Sequence, residues 1–147
     1  RVLAATTAQL PGLLDDRFAS AEAIDDLGVT MERGRTGFKL WAPTARKVSL
    51  CLDPARGHGR IERPMRLDPA TGAWQLELRG EHHGGHYRYA VEVFVRGVGV
   101  VRNLVTDPYS LSLDADSQRS YIADLDAPWL MPRGWRHSRA PDRVRAQ

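Results

Sequence analysis

The chain has 147 residues, 42% of them hydrophobic and 27% charged, the composition of one ordinary globular domain that can close a core without disulfides or metal. Cys51 is its only cysteine, which excludes an intrachain disulfide and a thiolate zinc cluster, and no apolar run approaches the roughly 20 residues that a membrane span needs. The formal charge of +3 is gathered at one end, since Pro128 to Gln147 holds Arg133, Arg136, Arg139, Arg143 and Arg145 against Asp142. A nucleic-acid domain carries its basic stripe on the folded body, so nucleic acid is excluded as a partner, and the chain is expected to be soluble, with no membrane contact. It begins at Arg1 rather than Met, which reads as an excised, processed or fragmentary piece.

In chain order, the first periodic stretch is QLPGLLDDRFASAEAIDDL, residues 9–27. Leu10, Leu14, Phe18, Ala21, Ile24 and Leu27 recur at three- and four-residue intervals, which predicts one short amphipathic helix with Pro11 in its first turn. Gly28 is expected to end it, because glycine readily adopts the left-handed conformation of a helix stop. From Thr36 the period becomes two. Phe38, Leu40 and Ala42 alternate with Lys39 and Trp41, and Val48, Leu50 and Leu52 alternate with Ser49 and Cys51, which predicts two strands. After the turn signal Asp68-Pro69-Ala70-Thr71-Gly72, Trp74, Leu76 and Leu78 continue the pattern.

The longest predicted strand runs from Tyr87 to Val95, with Tyr87, Tyr89, Val91, Val93 and Val95 on one face. Arg96-Gly97-Val98-Gly99 supplies the glycines of a tight hairpin, and Val100 to Thr106 returns antiparallel. A last strand is expected at Ser120 to Leu125. Five or six strands separated by turns rather than helices predict an all-β fold of two packed antiparallel sheets, a β-sandwich with a short N-terminal helix and an irregular C-terminal tail. The expected division is a helical segment at 1–28, the sandwich at 29–126 and a linker or tail at 127–147.

The constellations that could carry chemistry are sparse. His82, His83 and His86 in GEHHGGHY invite a metal, but the surrounding glycines mark a turn and no carboxylate at helical spacing completes a ligand set, so no metal and no cofactor is expected. Asp114-Ala-Asp116 starts like a calcium loop, yet Arg119 stands at its glycine position and Leu125 at its closing position. The acidic pairs Asp15-Asp16 and Asp25-Asp26 point to different sides of a helix. There is no G-x-S-x-G elbow and no phosphate loop, and Cys51 lies within a strand with no histidine beside it in sequence. No catalytic residue is assigned. Aromatic side chains remain, because flat rings stack on sugars as they do on bases. Trp74, Tyr87 and Tyr89 share parity with aliphatic neighbours and read as core, whereas Trp41 falls opposite Phe38 and Leu40. Trp41 and Tyr109 are the carbohydrate-contact candidates, and Tyr109, Trp129 and Trp135 the candidates for a domain interface.

Five strings come in a telling order: Leu27-Gly-Val-Thr, Thr36-Gly-Phe-Lys-Leu-Trp-Ala-Pro-Thr-Ala with Val48-Ser-Leu, Gly85-His-Tyr-Arg-Tyr-Ala-Val, Val105-Thr-Asp-Pro-Tyr-Ser, and Ser120-Tyr-Ile-Ala-Asp-Leu. From about Leu27 to Trp135 they resemble the N-terminal part of pullulanase-type α-1,6-glucosidases, debranching enzymes of glycoside hydrolase family 13, and within it the family 48 carbohydrate-binding module. The resemblance implies an immunoglobulin-like sandwich standing beside a catalytic (β/α)8 barrel, with that barrel as the partner and α-glucan as a further ligand. The barrel's catalytic carboxylates fall on no residue of this chain, since such a barrel needs at least about 200 residues of its own. The arginine-rich RHSRAPDRVRAQ stands where the first barrel strand is expected, as at a fragment boundary or in a truncated gene product. Ala90 stands near the place of the lysine, and Val100 near that of a loop tryptophan, through which glycogen-binding members of the family hold sugar. The function implied is a noncatalytic accessory module with weak glucan contact. Its alternative is a purely structural docking domain with no sugar affinity.

Overall fold

A computed structural model describes residues 12–57, 59–125, 127, 131, 133–137 and 139. Among the described residues nine strands divide between two antiparallel sheets: β1 (Gly28–Glu32), β2 (Arg35–Trp41), β3 (Lys47–Asp53), β4 (Ile61–Pro64), β5 (Arg66–Leu67), β6 (Ala73–Arg79), β7 (His86–Val95), β8 (Gly99–Val105) and β9 (Ser120–Tyr121). The first sheet has the order β1-β2-β6-β5, the second β4-β3-β7-β8, with β9 pairing the start of β7. The expected immunoglobulin-like sandwich is therefore observed. The crossing between layers is made at Met65. Its N–H donates to the Val48 carbonyl (2.9 Å) and its side chain enters the core, so that β4 joins one sheet and β5 the other.

The alternation read from sequence points where it was expected to. Thr36, Phe38 and Leu40 of β2 are buried, as are Val48, Leu50 and Leu52 of β3, Trp74 of β6, and Tyr87 and Tyr89 of β7. Fully burying such side chains stabilises the fold by about 1.5–3 kcal/mol each. Phe38 and Tyr87 meet edge to face at 5.2 Å, and Tyr87 and Tyr89 at 5.6 Å. The inward face of β7 fades beyond Val91: Val93 is half-buried and Val95 is 40% exposed, because the β7–β8 hairpin runs past the end of the sandwich.

Three expectations need correction. The helix over residues 9–27 is not one helix: residues 9–11 lie outside the described residues, an α-turn at Leu13–Arg17 (α1) ends at Phe18, and a 3-10 turn follows at Ala19–Ala23. Phe18 is the cause, because its ring is buried against the turn at Gly72 while Ser20 Oγ donates to the Ala70 carbonyl (2.9 Å), and docking the segment onto the sheet's end outweighs helix continuation. Gly28 does not stop a helix; it opens β1 opposite Lys39. The strand expected at Ser120–Leu125 is only Ser120–Tyr121, after which Ile122 N–H bonds the Gly85 carbonyl (2.9 Å).

Beneath the loop after β8, Asp107 is 3% exposed. Its Oδ2 accepts from the Tyr87 hydroxyl (2.6 Å) and the Tyr89 hydroxyl (3.3 Å), its Oδ1 from the Tyr109 N–H (2.9 Å), and its own N–H donates to Ser120 Oγ (3.1 Å). Burial, reinforced by the Asp107 carboxylate, pushes both phenols well above their ordinary range. This network ties the loop to the core and sets where Tyr109 stands.

Candidate functional site

At the end of β2, Trp41 lies on the face opposite Phe38 and Leu40 and is half-buried. Its indole N–H donates to the Thr71 carbonyl (2.9 Å), so one edge of the ring is fixed. Tyr109, 37% exposed, comes from the Asp107-anchored loop. The two candidates for sugar contact meet as walls of one open cleft of about 300 Å3 that Phe18, Leu27, Asp15 and Glu22 also line. That volume is at the small end of the usual range for ligand pockets, about 300–1,000 Å3.

Two glycines let these elements meet. Gly72 has φ +73°, and a Cβ there would stand 2.7 Å from Pro43 Cβ and 3.1 Å from the Phe18 ring. Gly28 has φ +98°, and a Cβ there would stand 3.1 Å from the Tyr109 carbonyl oxygen. The aromatic walls are thus drawn together by backbone that only glycine provides without strain. Apolar ring surface with two carboxylates at the rim is chemistry for a polyhydroxylated, uncharged ligand: C–H faces stack on rings and hydroxyls donate to carboxylate oxygens.

The other described residues singled out in the sequence do not line this cleft. Trp135 is 62% exposed in a 3-10 turn at Trp135–His137, and Trp129 lies outside the described residues. The sequence reading missed Leu111 (78% exposed), Leu113, Leu125 and Met131, which follow Tyr109 along the chain and whose only signal was aliphatic residues with no strand or helix period. Ala90 is buried and pairs with Ser49 and Leu104, and Val100 is exposed on the edge strand β8.

The histidines of the turn do separate jobs. His83 Nδ1 accepts from the Asp124 N–H (2.9 Å), the His82 N–H donates to Thr36 Oγ1 (3.3 Å), and His86 sits edge-on to Tyr121 at 5.3 Å. Among the described residues no group of three His, Cys, Asp or Glu is placed to hold a metal ion. Asp114 closes its own loop, with Oδ1 accepting from Gln118 and Arg119 N–H and Oδ2 from Arg119 Nε. Burial keeps the Cys51 thiol above its usual range, away from thiolate chemistry.

Two packed antiparallel sheets without a parallel βαβ unit define an immunoglobulin-like β-sandwich rather than an α/β fold. The chain belongs to the carbohydrate-binding module 48 family (isoamylase N-terminal domain), whose family model matches residues 26–110. It is 36% identical over 135 residues to pullulanase of Klebsiella pneumoniae, covering 91% of this chain and 12% of that one. To chloroplastic pullulanase 1 of Arabidopsis thaliana it is 32% identical over 139 residues, 92% of this chain and 14% of that one. The ligand-free crystal structure of PulA from Klebsiella pneumoniae superposes with a TM-score of 0.76 at 37% identity, covering 86% of this chain and 12% of that one. The chain thus spans about an eighth of the length of these relatives.

Proposed function

We propose that this domain is the noncatalytic accessory module of an α-1,6-glucan debranching enzyme of pullulanase type, and that it contacts α-glucan through Trp41 and Tyr109 while docking beside the catalytic (β/α)8 barrel. The observation that carries the reading is the meeting of these two rings in one open cleft on a carbohydrate-binding module 48 fold. The parent reaction, hydrolysis of α-1,6 bonds in pullulan, glycogen or starch dextrins, is supported by the pullulanase relatives. It belongs to the barrel, so the isolated module turns over no pullulan. Tyr109, Trp129 and Trp135 face that barrel, with residues 127–147 leading toward it.

A second reading, a docking domain without sugar affinity, draws on a different observation: Leu111, Leu113, Leu125, Met131 and Trp135 are exposed apolar side chains that another domain could cover, and the family resemblance sets Ala90 and Val100 near the places of a lysine and a tryptophan through which glycogen-binding members hold sugar. Affinity gel electrophoresis in pullulan or glycogen separates the two. Retardation that Trp41→Ala and Tyr109→Ala each reduce supports glucan contact, whereas unretarded migration of the wild-type module leaves only the docking role.

A further inference from the structure

The outer face of the first sheet holds a feature that the Trp41–Tyr109 cleft does not use. Two overlapping troughs, of about 390 and 540 Å3, lie over β1, β2 and β6, and both are lined by Asp26, Thr30, Gly37 and Glu77. Gly37 is the centre of the floor. It sits mid-strand, paired with Thr30 on one side and Glu77 on the other, and it is not among the residues with positive φ. Its backbone therefore accepts any residue, and glycine in a strand interior otherwise weakens the sheet. What the missing side chain provides is room: a Cβ there would stand 2.7 Å from Thr30 Oγ1 and would raise the floor.

The lining also limits what can occupy the trough. Lys39 Nζ holds both carboxylate oxygens of Asp26 (2.6 and 2.5 Å), and Arg35 Nη1 holds Glu77 Oε1 (2.5 Å). Lys39 and Arg35 are thus each matched by a carboxylate, while Arg66 and Arg33, which also line the troughs, offer further donors to hydroxyl oxygens. A protein interface is a poor fit, since interface cores are depleted in charged residues. Paired carboxylate and ammonium groups with the amide of Gln75 and the hydroxyl of Thr30 suit a neutral ligand that offers many hydroxyls, each able to donate to one member of a pair and accept from the other.

We propose that this trough is a second stretch of the glucan site, continuous with the aromatic cleft, so that one linear α-glucan chain lies along β2 from Trp41 across Lys39 and Gly37 to Arg35. These four residues share one face of the strand and span about 20 Å at ~3.3 Å per residue. The Asp26–Lys39 pair stands where the two parts join, because Leu27 and Trp41 line the cleft and Asp26 and Lys39 line the trough. The division of labour is that the cleft stacks sugar rings and the trough reads hydroxyls, which makes affinity depend on chain length. This inference rests on the glucan-binding reading of the cleft.

The test is calorimetric titration of the full chain with maltotriose and with maltoheptaose. Maltoheptaose is expected to bind about tenfold more tightly, a difference of about 1.4 kcal/mol. Gly37→Val, which fills the trough, and Gln75→Ala, which removes an amide without touching either ion pair, are expected to lower maltoheptaose affinity toward that of maltotriose while maltotriose binding is kept. If Gly37→Val lowers the melting temperature sharply, Gln75→Ala decides alone. Equal affinities for the two sugars, or a length advantage that survives Gln75→Ala, overturn the second stretch and leave the cleft standing. Absence of binding by either sugar overturns both.

Discussion

Asp107 is the residue on which the loop carrying Tyr109 depends, and its replacement by alanine has a magnitude that follows from its contacts. The carboxylate accepts from two phenols that are 0% exposed, at 2.6 and 3.3 Å, and from the Tyr109 N–H at 2.9 Å. Asp107→Ala removes the carboxylate that both hydroxyls donate to, leaving Tyr87 only the hydroxyls of Ser110 and Ser120. A buried donor left unpaired costs about 1–3 kcal/mol, and the longer Tyr89 bond puts that group at the low end, so the loss is about 3–4 kcal/mol. For a domain of this size that is about 10 °C in melting temperature. Urea unfolding followed by far-ultraviolet circular dichroism measures it directly. The reasoning makes a sharper demand as well: adding Tyr87→Phe and Tyr89→Phe to Asp107→Ala removes the orphaned hydroxyls and restores part of the loss. A single variant within about 0.5 kcal/mol of the wild type, the range of an ordinary surface change, would refute the account of the network.

Three further outcomes follow from the same coordinates. Burial and the neighbouring Asp107 raise the Tyr87 and Tyr89 phenols above their ordinary value of 10.0, so the folded chain keeps protons that the unfolded chain releases; stability is full below pH 10 and falls above it by about 1.4 kcal/mol per pH unit for each tyrosine. Urea midpoints between pH 9 and 11.5 should show this slope, and Tyr87→Phe should reduce it; an unchanged slope contradicts the burial argument. At acid pH, the Arg119 side-chain hydrogen bond lowers the Asp114 carboxyl, and the Thr71 hydroxyl lowers that of Asp68, both from 3.8; their stabilisation is present above about pH 4 and is lost as pH falls through the depressed values, so Asp114→Asn should flatten the melting-temperature profile between pH 5 and 2. Gly72→Ala should destabilise by more than about 1 kcal/mol, since the added carbon meets Pro43 and Phe18 in a backbone that alanine dislikes. It should also weaken glucan retardation by displacing Phe18, and a variant that melts with the wild type contradicts the close packing described.

β2 was legible in the sequence because it has one wet and one dry face, whereas β3, read by the same alternation, is buried on both, with Ser49 and Cys51 as dry as Val48, Leu50 and Leu52. In β2 buried residues alternate with half-buried ones, with Thr36, Phe38 and Leu40 inward, and such alternation is visible in the sequence alone. β4 and β5 were missed because their residues, Ile61–Pro64 and Arg66–Leu67, are exposed or half-exposed throughout; they pair at the sheet edges by backbone bonds that leave no hydrophobic trace. β1 was missed because Gly28 resembles a helix stop, and only the tertiary contact with Tyr109 explains its left-handed backbone. The helical stretch was misjudged for the related reason that Phe18 belongs to the sandwich, not to a helix face. Trp41 could be singled out by parity and Tyr109 by its string, but their meeting depends on a buried carboxylate and two glycines far apart in the chain. The outer trough was illegible altogether, since pairing Asp26 with Lys39 and Arg35 with Glu77 needs the register of three strands.

The claim at the centre of the account is that glucan is held where Trp41 and Tyr109 meet. Titrating isotopically labelled chain with maltotriose and following its amide and indole resonances tests this most directly. The account predicts the largest shifts at the Trp41 indole, Leu27, Phe18 and Tyr109, at the rim of the cleft. Shifts centred instead on β7 and β8, around Ala90 and Val100, would contradict it, as would a spectrum that saturating sugar leaves unchanged.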